Sequence, residues 1–302
     1  MAQGVTCMRV GVVINPKAGG HRGLGIGDRV SLVHEAFRRV GVDGPVMITK
    51  RRGHGREVAR AWVKRGVDTI VVWGGDGTIN EVASQLVLQQ TTLGIVPAGS
   101  GNGLARELCL YRDPARALEV ALNGQVRRID VGELGGHPFF NVAGLGLDAH
   151  LAAIFNASTR RGVQGYITGL FRALRTHRPQ HYAVQANGFT VKQRALMVAF
   201  ANTRQYGNGA VIAAVARPDD GLLELVVVPS LPTLTLLWQA RRFFTGSVHD
   251  LHGVRTYSIR EGQITGNGPL TFHVDGEVVT GPKVLALKLH PGALTVRVGR
   301  RL

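Results

Sequence analysis

Apolar and polar residues along the first 130 positions follow two periods. Short β-branched runs at Arg9–Asn15 (RVGVVIN), Val46–Thr49, Thr69–Trp73 and Leu93–Val96 read as strands. The third is apolar beyond its first residue, as expected of a parallel strand covered on both faces. From Gly27 to Val40, the residues Val30, Val33, Phe37 and Val40 recur at three- and four-residue steps, the period of an amphipathic helix. Arg56–Arg65, around Val58 and Trp62, is a second helix. Thr78–Leu88, with Ile79, Val82, Ala83 and Leu86 inward, is a third, and Leu104–Leu108 is a short one. Asp113-Pro114 supplies an N-cap and first-turn pair for a helix to Leu122. This alternation predicts an open α/β domain with a mostly parallel sheet over residues 1–130.

Past Val131 the pattern changes. Strand-like runs dominate: Phe139–Val142, Tyr182–Gln185, Ala195–Ala201, Leu222–Val228, Ser258–Arg260, Leu270–Val274, Val284–Leu289 and Leu294–Val298. Turns such as NGF, PDDG and HPGA separate them, and helical patterns are confined to Leu147–Ser158, Tyr166–Arg175 and Thr233–Phe244. Residues 131–302 therefore read as a mainly β sandwich domain, with the C-terminal end free to return to the first domain.

Charge narrows the partners. Lys and Arg outnumber Asp and Glu by 36 to 20, a formal charge of +16, which favours anionic partners. The basic residues come as scattered pairs such as Arg38-Arg39 and Arg241-Arg242, with no zinc-finger spacing, RNA-binding aromatic signature or basic zipper; no nucleic-acid partner is expected. Two distant cysteines, Cys7 and Cys109, imply neither a disulfide framework nor a cysteine metal site, and suit a reducing cytosol. The N-terminal MAQGVTCMRV lacks the apolar core of a signal peptide. The apolar segment from Gly221 is broken by Glu224 and two prolines. A cytoplasmic protein is expected, at most peripheral at the inner face of the membrane.

Candidate chemistry sits where strands run into glycine. Gly74-Gly75-Asp76-Gly77 and Gly99-Ser100-Gly101-Asn102-Gly103 each follow a strand and open a helix, and Asn15-Pro16-Lys17-Ala18-Gly19-Gly20 is a third strand-end turn. Ligands of open α/β sheets bind outside the carboxyl ends of the strands. Glycine lets backbone approach them, and helix N-termini attract phosphate. Thr78-Ile79-Asn80-Glu81 equally fits a capping box, in which Thr78 caps the helix and Glu81 reaches back. Nothing matches G-x-x-x-x-G-K-[ST], and Ser100 lacks the flanks of a hydrolase elbow. The pair His249 and His252 reads as surface decoration.

GGDGTINEV, with NPKAGG upstream and IVPAGSGNGLARELCL downstream, resembles the diacylglycerol kinase catalytic domain of bacterial lipid kinases and sphingosine kinases. The resemblance continues through RRIDVG, FFNVAGLGLDA, PDDGLLELVVV and HVDGEVV, in order, over nearly the whole chain. GGDGT alone is shared with NAD kinases; the ordered set is more specific. The resemblance implies an α/β nucleotide domain, a β-sandwich and an active site in the cleft between them. It implies ATP contacts from Asn15, Gly75, Asp76, Gly77, Thr78, Gly99, Ser100, Gly101 and Asn102. Asp275 would be the general base, with Glu277 helping to order Mg-ATP. Asp76 would face the nucleotide through Mg²⁺, which turns repulsion between carboxylate and phosphate into attraction. By contrast, DG between two β runs at Asp275-Gly276 is on its own a hairpin turn, and the two roles are compatible.

The match departs from the family at two places. Many bacterial members carry an acidic residue where this chain has Gly103. Relatives commonly hold a structural Mg²⁺ at the DG turn, for which Asp220 is the candidate here; Arg217 lies nearby, and a type I turn explains the segment equally. The basic, apolar segment Thr159–Arg178 is a candidate interfacial helix on an anionic membrane surface, although core packing accounts for the same face. The expected activity is ATP- and Mg²⁺-dependent phosphorylation of a hydroxyl on a diacylglycerol-like or sphingoid lipid, within phospholipid metabolism. The alternatives are an NAD-kinase-like enzyme, or a nucleotide- and membrane-binding protein without catalysis.

Overall fold

The computed structural model describes residues 8–19, 24–110, 112–157, 173, 176–207, 210–230 and 253–299. The predicted helix at Thr233–Phe244, all of Tyr166–Arg175 but Ala173, most of Thr159–Arg178, and His249 with His252 lie outside them. The chain divides into two units. One comprises Met1–Ile129 with Ala293–Leu302, the other Asp130–Gly292.

The first unit is an α/β layer structure. Its elements are β1 (Val10–Ile14), α1 (Ile26–Val40), β2 (Val46–Ile48), α2 (His54–Lys64), β3 (Thr69–Gly74), α3 (Asp76–Ala83), β4 (Thr92–Pro97), α4 (Gly103–Glu107) and α5 (Pro114–Asn123). The strands β2, β1, β3 and β4 pair in parallel in that order. The end of the last strand, β17 (Val284–Val298), pairs in parallel with β4 through Val296 and Leu93. Every residue of β1, β3 and β4 is buried, which is why their sequences show no alternation. Each fully buried Val or Ile there stabilises by about 1.5–3 kcal/mol.

Helices pack on this sheet through small residues. A Cβ at Gly11 would lie 2.5 Å from the Trp62 ring, so glycine on β1 is what seats that indole. On α1, Val33, Ala36 and Phe37 are buried; Gly41 ends the helix at φ 74, its N–H donating to the Phe37 carbonyl at 2.9 Å. Asp113 caps α5 as expected, accepting the Arg116 N–H at 2.9 Å.

The expected capping box at α3 is not formed. The helix starts at Asp76 with Gly75 as N-cap, so Thr78 lies inside the first turn. Glu81 instead accepts the N–H groups of Gly53 at 2.7 Å and Gly55 at 3.2 Å, capping α2. A carboxylate on another helix satisfies those donors because Gly53, at φ 82, turns the chain there.

The second unit is a β-sandwich. The chain enters it along β5 (Gln125–Leu134), followed by β6 (His137–Phe139), β7 (Val142–Gly146), α6 (Leu147–Ala157), β8 (Gln180–Ala186) and β9 (Phe189–Ala201). Then come β10 (Gln205–Gly207), β11 (Ala210–Val211), β12 (Leu223–Pro229), β13 (Arg255–Ile259), β14 (Glu261–Thr265), β15 (Leu270–Val274) and β16 (Glu277–Gly281). The 13-residue β9 joins the layers. Its first half pairs with β8, which pairs with β14; its second half lies between β7 and β12. Inward residues Phe139, Leu145, Val184, Phe200, Leu225, Ile264, Phe272 and Leu287 form one core. Two expectations change. The run Phe139–Val142 is the junction of β6 and β7, and the predicted HPGA break is absent, because β17 continues through Pro291 and Gly292.

Candidate functional site

In the first unit the ends of β1, β3 and β4 carry the three predicted loops, and side chains tie them together. Asn15 follows β1. Its N–H donates to the Trp73 carbonyl at 2.9 Å, its Nδ2 to Thr78 Oγ1 at 2.7 Å, and its Oδ1 accepts the Lys17 N–H at 2.9 Å. One asparagine thus holds two strand ends and the first turn of α3 in register.

Asp76 joins the other two loops. Its Oδ2 accepts the Asn102 N–H and its Oδ1 the Gly103 N–H, each at 2.8 Å. Asn102 has φ 51, a left-handed conformation that asparagine tolerates, and this aims successive N–H groups at one carboxylate. Asn102 also closes its own loop on Gly99: Oδ1 accepts the Gly99 N–H and Nδ2 donates to the Gly99 carbonyl, both at 2.8 Å. Arg106 Nε donates to the Gly101 carbonyl at 2.8 Å. Burial pushes the Asp76 carboxyl above its ordinary range, against the Asn102 and Gly103 donors and the Arg106 charge, which lower it.

Close approach explains the glycines. A Cβ on Gly99 would stand 2.7 Å from Gly75 Cα and 2.8 Å from Asn102 Oδ1; one on Gly101 would stand 2.8 Å from Asp76 Oδ2. Gly77 has nothing within 4 Å of an added Cβ and is exposed, as is Ser100. Asn15, Gly75, Asp76, Gly77, Thr78, Gly99, Ser100, Gly101 and Asn102 therefore belong to one cluster of loops at the strand ends. The first-turn N–H groups of α3 have no carbonyl partner within their helix and suit an anion.

The donor set fits a nucleotide-borne cation better than a caged one. After its two hydrogen bonds Asp76 keeps further lone pairs, which suits an ion carried mainly by phosphates and water, the usual state of Mg²⁺. Among the described residues no three His, Cys, Asp or Glu gather as a metal site. At the PDDG turn, Asp220 is exposed and its Oδ1 accepts the Leu222 N–H at 3.0 Å. The turn is held instead by Asp130, 3% exposed, whose oxygens accept the N–H groups of Gly221 and Gly292, each at 2.7 Å. Its backbone N–H donates to the Pro218 carbonyl at 2.6 Å.

In the second unit Asp275 and Gly276 form the turn between β15 and β16, at φ 48 and 84, the pairing of signs that a two-residue type I′ hairpin needs. The Asp275 carboxylate is clasped by backbone: Oδ2 accepts the Phe140 N–H at 2.9 Å, and Oδ1 those of Asn141 at 2.8 Å and Val142 at 3.2 Å. Glu277 opens β16, half-buried.

Sequence reasoning missed the histidine beside it. His273, 2% exposed, places Nε2 at 2.7 Å from Asp148 Oδ2, which also accepts the Tyr206 hydroxyl at 2.7 Å. The Gly276 N–H lies 3.2 Å from His273 Nδ1. Burial disfavours a charged ring, but Asp148 and then Asp275 outweigh it and hold the His273 pKa above its ordinary value. A Cβ at Gly144 would lie 2.1 Å from Asp148 Oδ2, so glycine on β7 makes room for the pair. No local motif announces a contact across so many residues.

The model of the diacylglycerol kinase catalytic domain matches residues 9–134, and that of the YegS C-terminal NAD kinase beta sandwich-like domain matches residues 141–298. A protein of Klebsiella pneumoniae named "Probable lipid kinase YegS-like" is 30% identical over 87% of this chain and 88% of its own. One of the same name from Pseudomonas aeruginosa is 30% identical over 87% of each chain. A solved diacylglycerol kinase of Bacillus anthracis superposes over 97% of this chain and 98% of its own, with a TM-score of 0.76 at 19% identity, a likeness of fold. The α/β unit with its stapled glycine loops and the β-sandwich with its Asp-Gly-Glu hairpin are thus the two halves of one enzyme type, and the chain belongs to the YegS-like, diacylglycerol-kinase-domain family of lipid kinases.

Proposed function

We propose that the chain transfers the γ-phosphoryl group of ATP to a hydroxyl of a diacylglycerol-like or sphingoid lipid. The observation that carries this reading is the junction of Asp76 with Asn102 and Gly103, which fixes two glycine loops as one rigid phosphate shelf. Phosphoryl transfer demands positioning and charge neutralisation more than covalent chemistry, and a preorganised backbone cradle supplies the first. Mg²⁺ bound with ATP would neutralise the phosphate oxygens, with Asp76 as its protein partner. Asn15 and Thr78 hold the shelf's outer edge, and Gly75, Gly77, Gly99, Ser100, Gly101 and Asn102 line it.

Asp275 takes the acceptor side. Three backbone donors fix its carboxylate in one orientation, which suits a group that must accept a hydrogen bond from the lipid hydroxyl and its proton as the bond to phosphorus forms. Glu277 supports that end of the hairpin. The PDDG turn is held through Asp130 without requiring a metal. The chain's positive charge suits an enzyme that visits an anionic membrane from the cytoplasm; among the described residues no helix is long and apolar enough to cross one.

The test is incubation of the protein with labelled ATP, Mg²⁺ and mixed micelles holding diacylglycerol, monoacylglycerol or a sphingoid base, with a parallel NAD reaction. A phosphorylated lipid identified by mass is the expected product. Phosphorylated NAD, or tight ATP binding with no transfer to any lipid, would overturn the proposal.

A further inference from the structure

The proposed shelf contains a cation that the mechanism above leaves unused. Arg29 lies in the first turns of α1 and is 3% exposed. It stands four residues before Val33 and eight before Phe37, on the face of the helix that packs against the sheet. Its Nη1 donates to the Asn15 carbonyl at 3.1 Å, and its Cζ lies 5.8 Å from the centre of the Trp73 ring. Its Nε is buried with no hydrogen-bond partner.

No carboxylate among the described residues forms an ion pair with Arg29. The acids of the same region are engaged elsewhere: Asp28 accepts the Gly25 N–H at 2.9 Å, Asp76 accepts from Asn102 and Gly103, and Glu81 caps α2. Burial lowers the pKa of the guanidinium. A buried charge is ordinarily paired, because an unpaired one is costly. Arginine keeps its proton even so, and the charge is therefore present with no carboxylate partner among the described residues. Its hydrogen-bond partner among the described residues is the carbonyl of Asn15, the residue that also ties the β1 end to Trp73 and Thr78.

We propose that the bound triphosphate is the missing counter-ion of Arg29, which is a positioning residue that draws phosphate onto the shelf from beneath it through its charge and through the Asn15 carbonyl. This rests on the reading of the loops as a nucleotide site. Because Arg29 is shielded from solvent, the attraction acts without direct contact and is screened by salt less than one between exposed groups. Linkage makes the effect reciprocal: phosphate binding relieves the unpaired charge, and the unpaired charge favours phosphate binding.

Two variants separate charge from packing. Arg29→Gln keeps a donor for the Asn15 carbonyl and loses the charge; Arg29→Lys keeps the charge and loses the planar fork. Each is titrated by calorimetry with a non-hydrolysable ATP analogue and with adenosine, alongside the native chain. The expected result is an affinity for the analogue at least tenfold weaker in Arg29→Gln and little changed in Arg29→Lys, with adenosine bound alike by all three. Equal analogue affinity in native chain and Arg29→Gln would overturn the inference. So would a parallel loss of adenosine binding, which would mark Arg29 as a structural support of Asn15 only. Failure of the native chain to bind the analogue at all would instead sink the nucleotide reading itself, and is distinguishable because it does not depend on the variants.

Discussion

Asp76 and Gly103 lie 27 residues apart in the chain and share a hydrogen bond of 2.8 Å. Together with the Asn102 contact it makes the aspartate of the GGDG loop a fastener for the GSGNG loop. Gly103 brings no side chain to this junction. Here that position contributes its N–H, and a neighbouring carboxylate would bring like charge beside Asp76.

Replacing Asp76 by Asn should remove more than nine-tenths of turnover and leave a folded protein. The amide can accept only one of the two N–H groups and presents its own donors to the other, a mismatch costing about 1–3 kcal/mol. Initial rates with saturating ATP, set beside a thermal unfolding curve, check both halves of the expectation. Native-like turnover would remove Asp76 from the site.

Gly99→Ala should weaken ATP binding at least tenfold and lower the unfolding midpoint, whereas Gly77→Ala should leave that midpoint near the native one. The first methyl meets Gly75 Cα at 2.7 Å and Asn102 Oδ1 at 2.8 Å, both held in place by hydrogen bonds; the second meets nothing within 4 Å. Unfolding midpoints of the two variants, measured beside KM for ATP, distinguish close approach within the loops from contact with the nucleotide.

Asp275→Asn should lower kcat by a hundredfold or more with KM for ATP unchanged. Asparagine accepts the left-handed backbone of the turn, so the hairpin survives, while the charge and one acceptor facing Phe140–Val142 are lost. The accompanying loss of stability should be about 1–3 kcal/mol. A fall confined to KM would assign the residue to binding rather than to the acceptor hydroxyl.

Stability should depend on pH through His273. Its folded pKa is raised above the unfolded value of about 6.5, so the ion pair with Asp148 stabilises fully below that value and its contribution fades as pH rises through the folded pKa. Protonation at Nδ1 displaces the 3.2 Å contact from the Gly276 N–H, and this moderates the gain without reversing its direction. Urea midpoints between pH 6 and 9 should fall with pH in the native chain and flatten in His273→Gln. A midpoint that rises with pH in the native chain only would contradict the assignment.

Much of the architecture was readable from periodicity, because continuous burial on β1, β3 and β4 leaves a continuous apolar run and α1 leaves a three-four repeat. The glycine loops were legible for the same local reason. What periodicity cannot carry is the partner of a side chain. Glu81 fits a local capping box in sequence, but the donors it satisfies belong to α2. Asp76 reads as a ligand-facing acid, and nothing local shows that it also accepts the N–H of Asn102, 26 positions later. Pro291-Gly292 reads as a turn because proline removes a ladder donor; β17 passes through it, with the Gly292 N–H taken by Asp130. Arg29 was overlooked because a charge on a helix is by default assigned to solvent.

The return of residues 293–298 to the α/β unit has a consequence for biosynthesis. Leu294 and Val296 are fully buried there, the Ala293 carbonyl accepts the Leu88 N–H at 2.7 Å, and Arg297 donates to the Gly124 carbonyl at 2.8 Å. While the ribosome is still translating the sandwich, the nascent nucleotide half therefore waits with one edge of β4 unmet, and it can close only after residues 293–298 have been made.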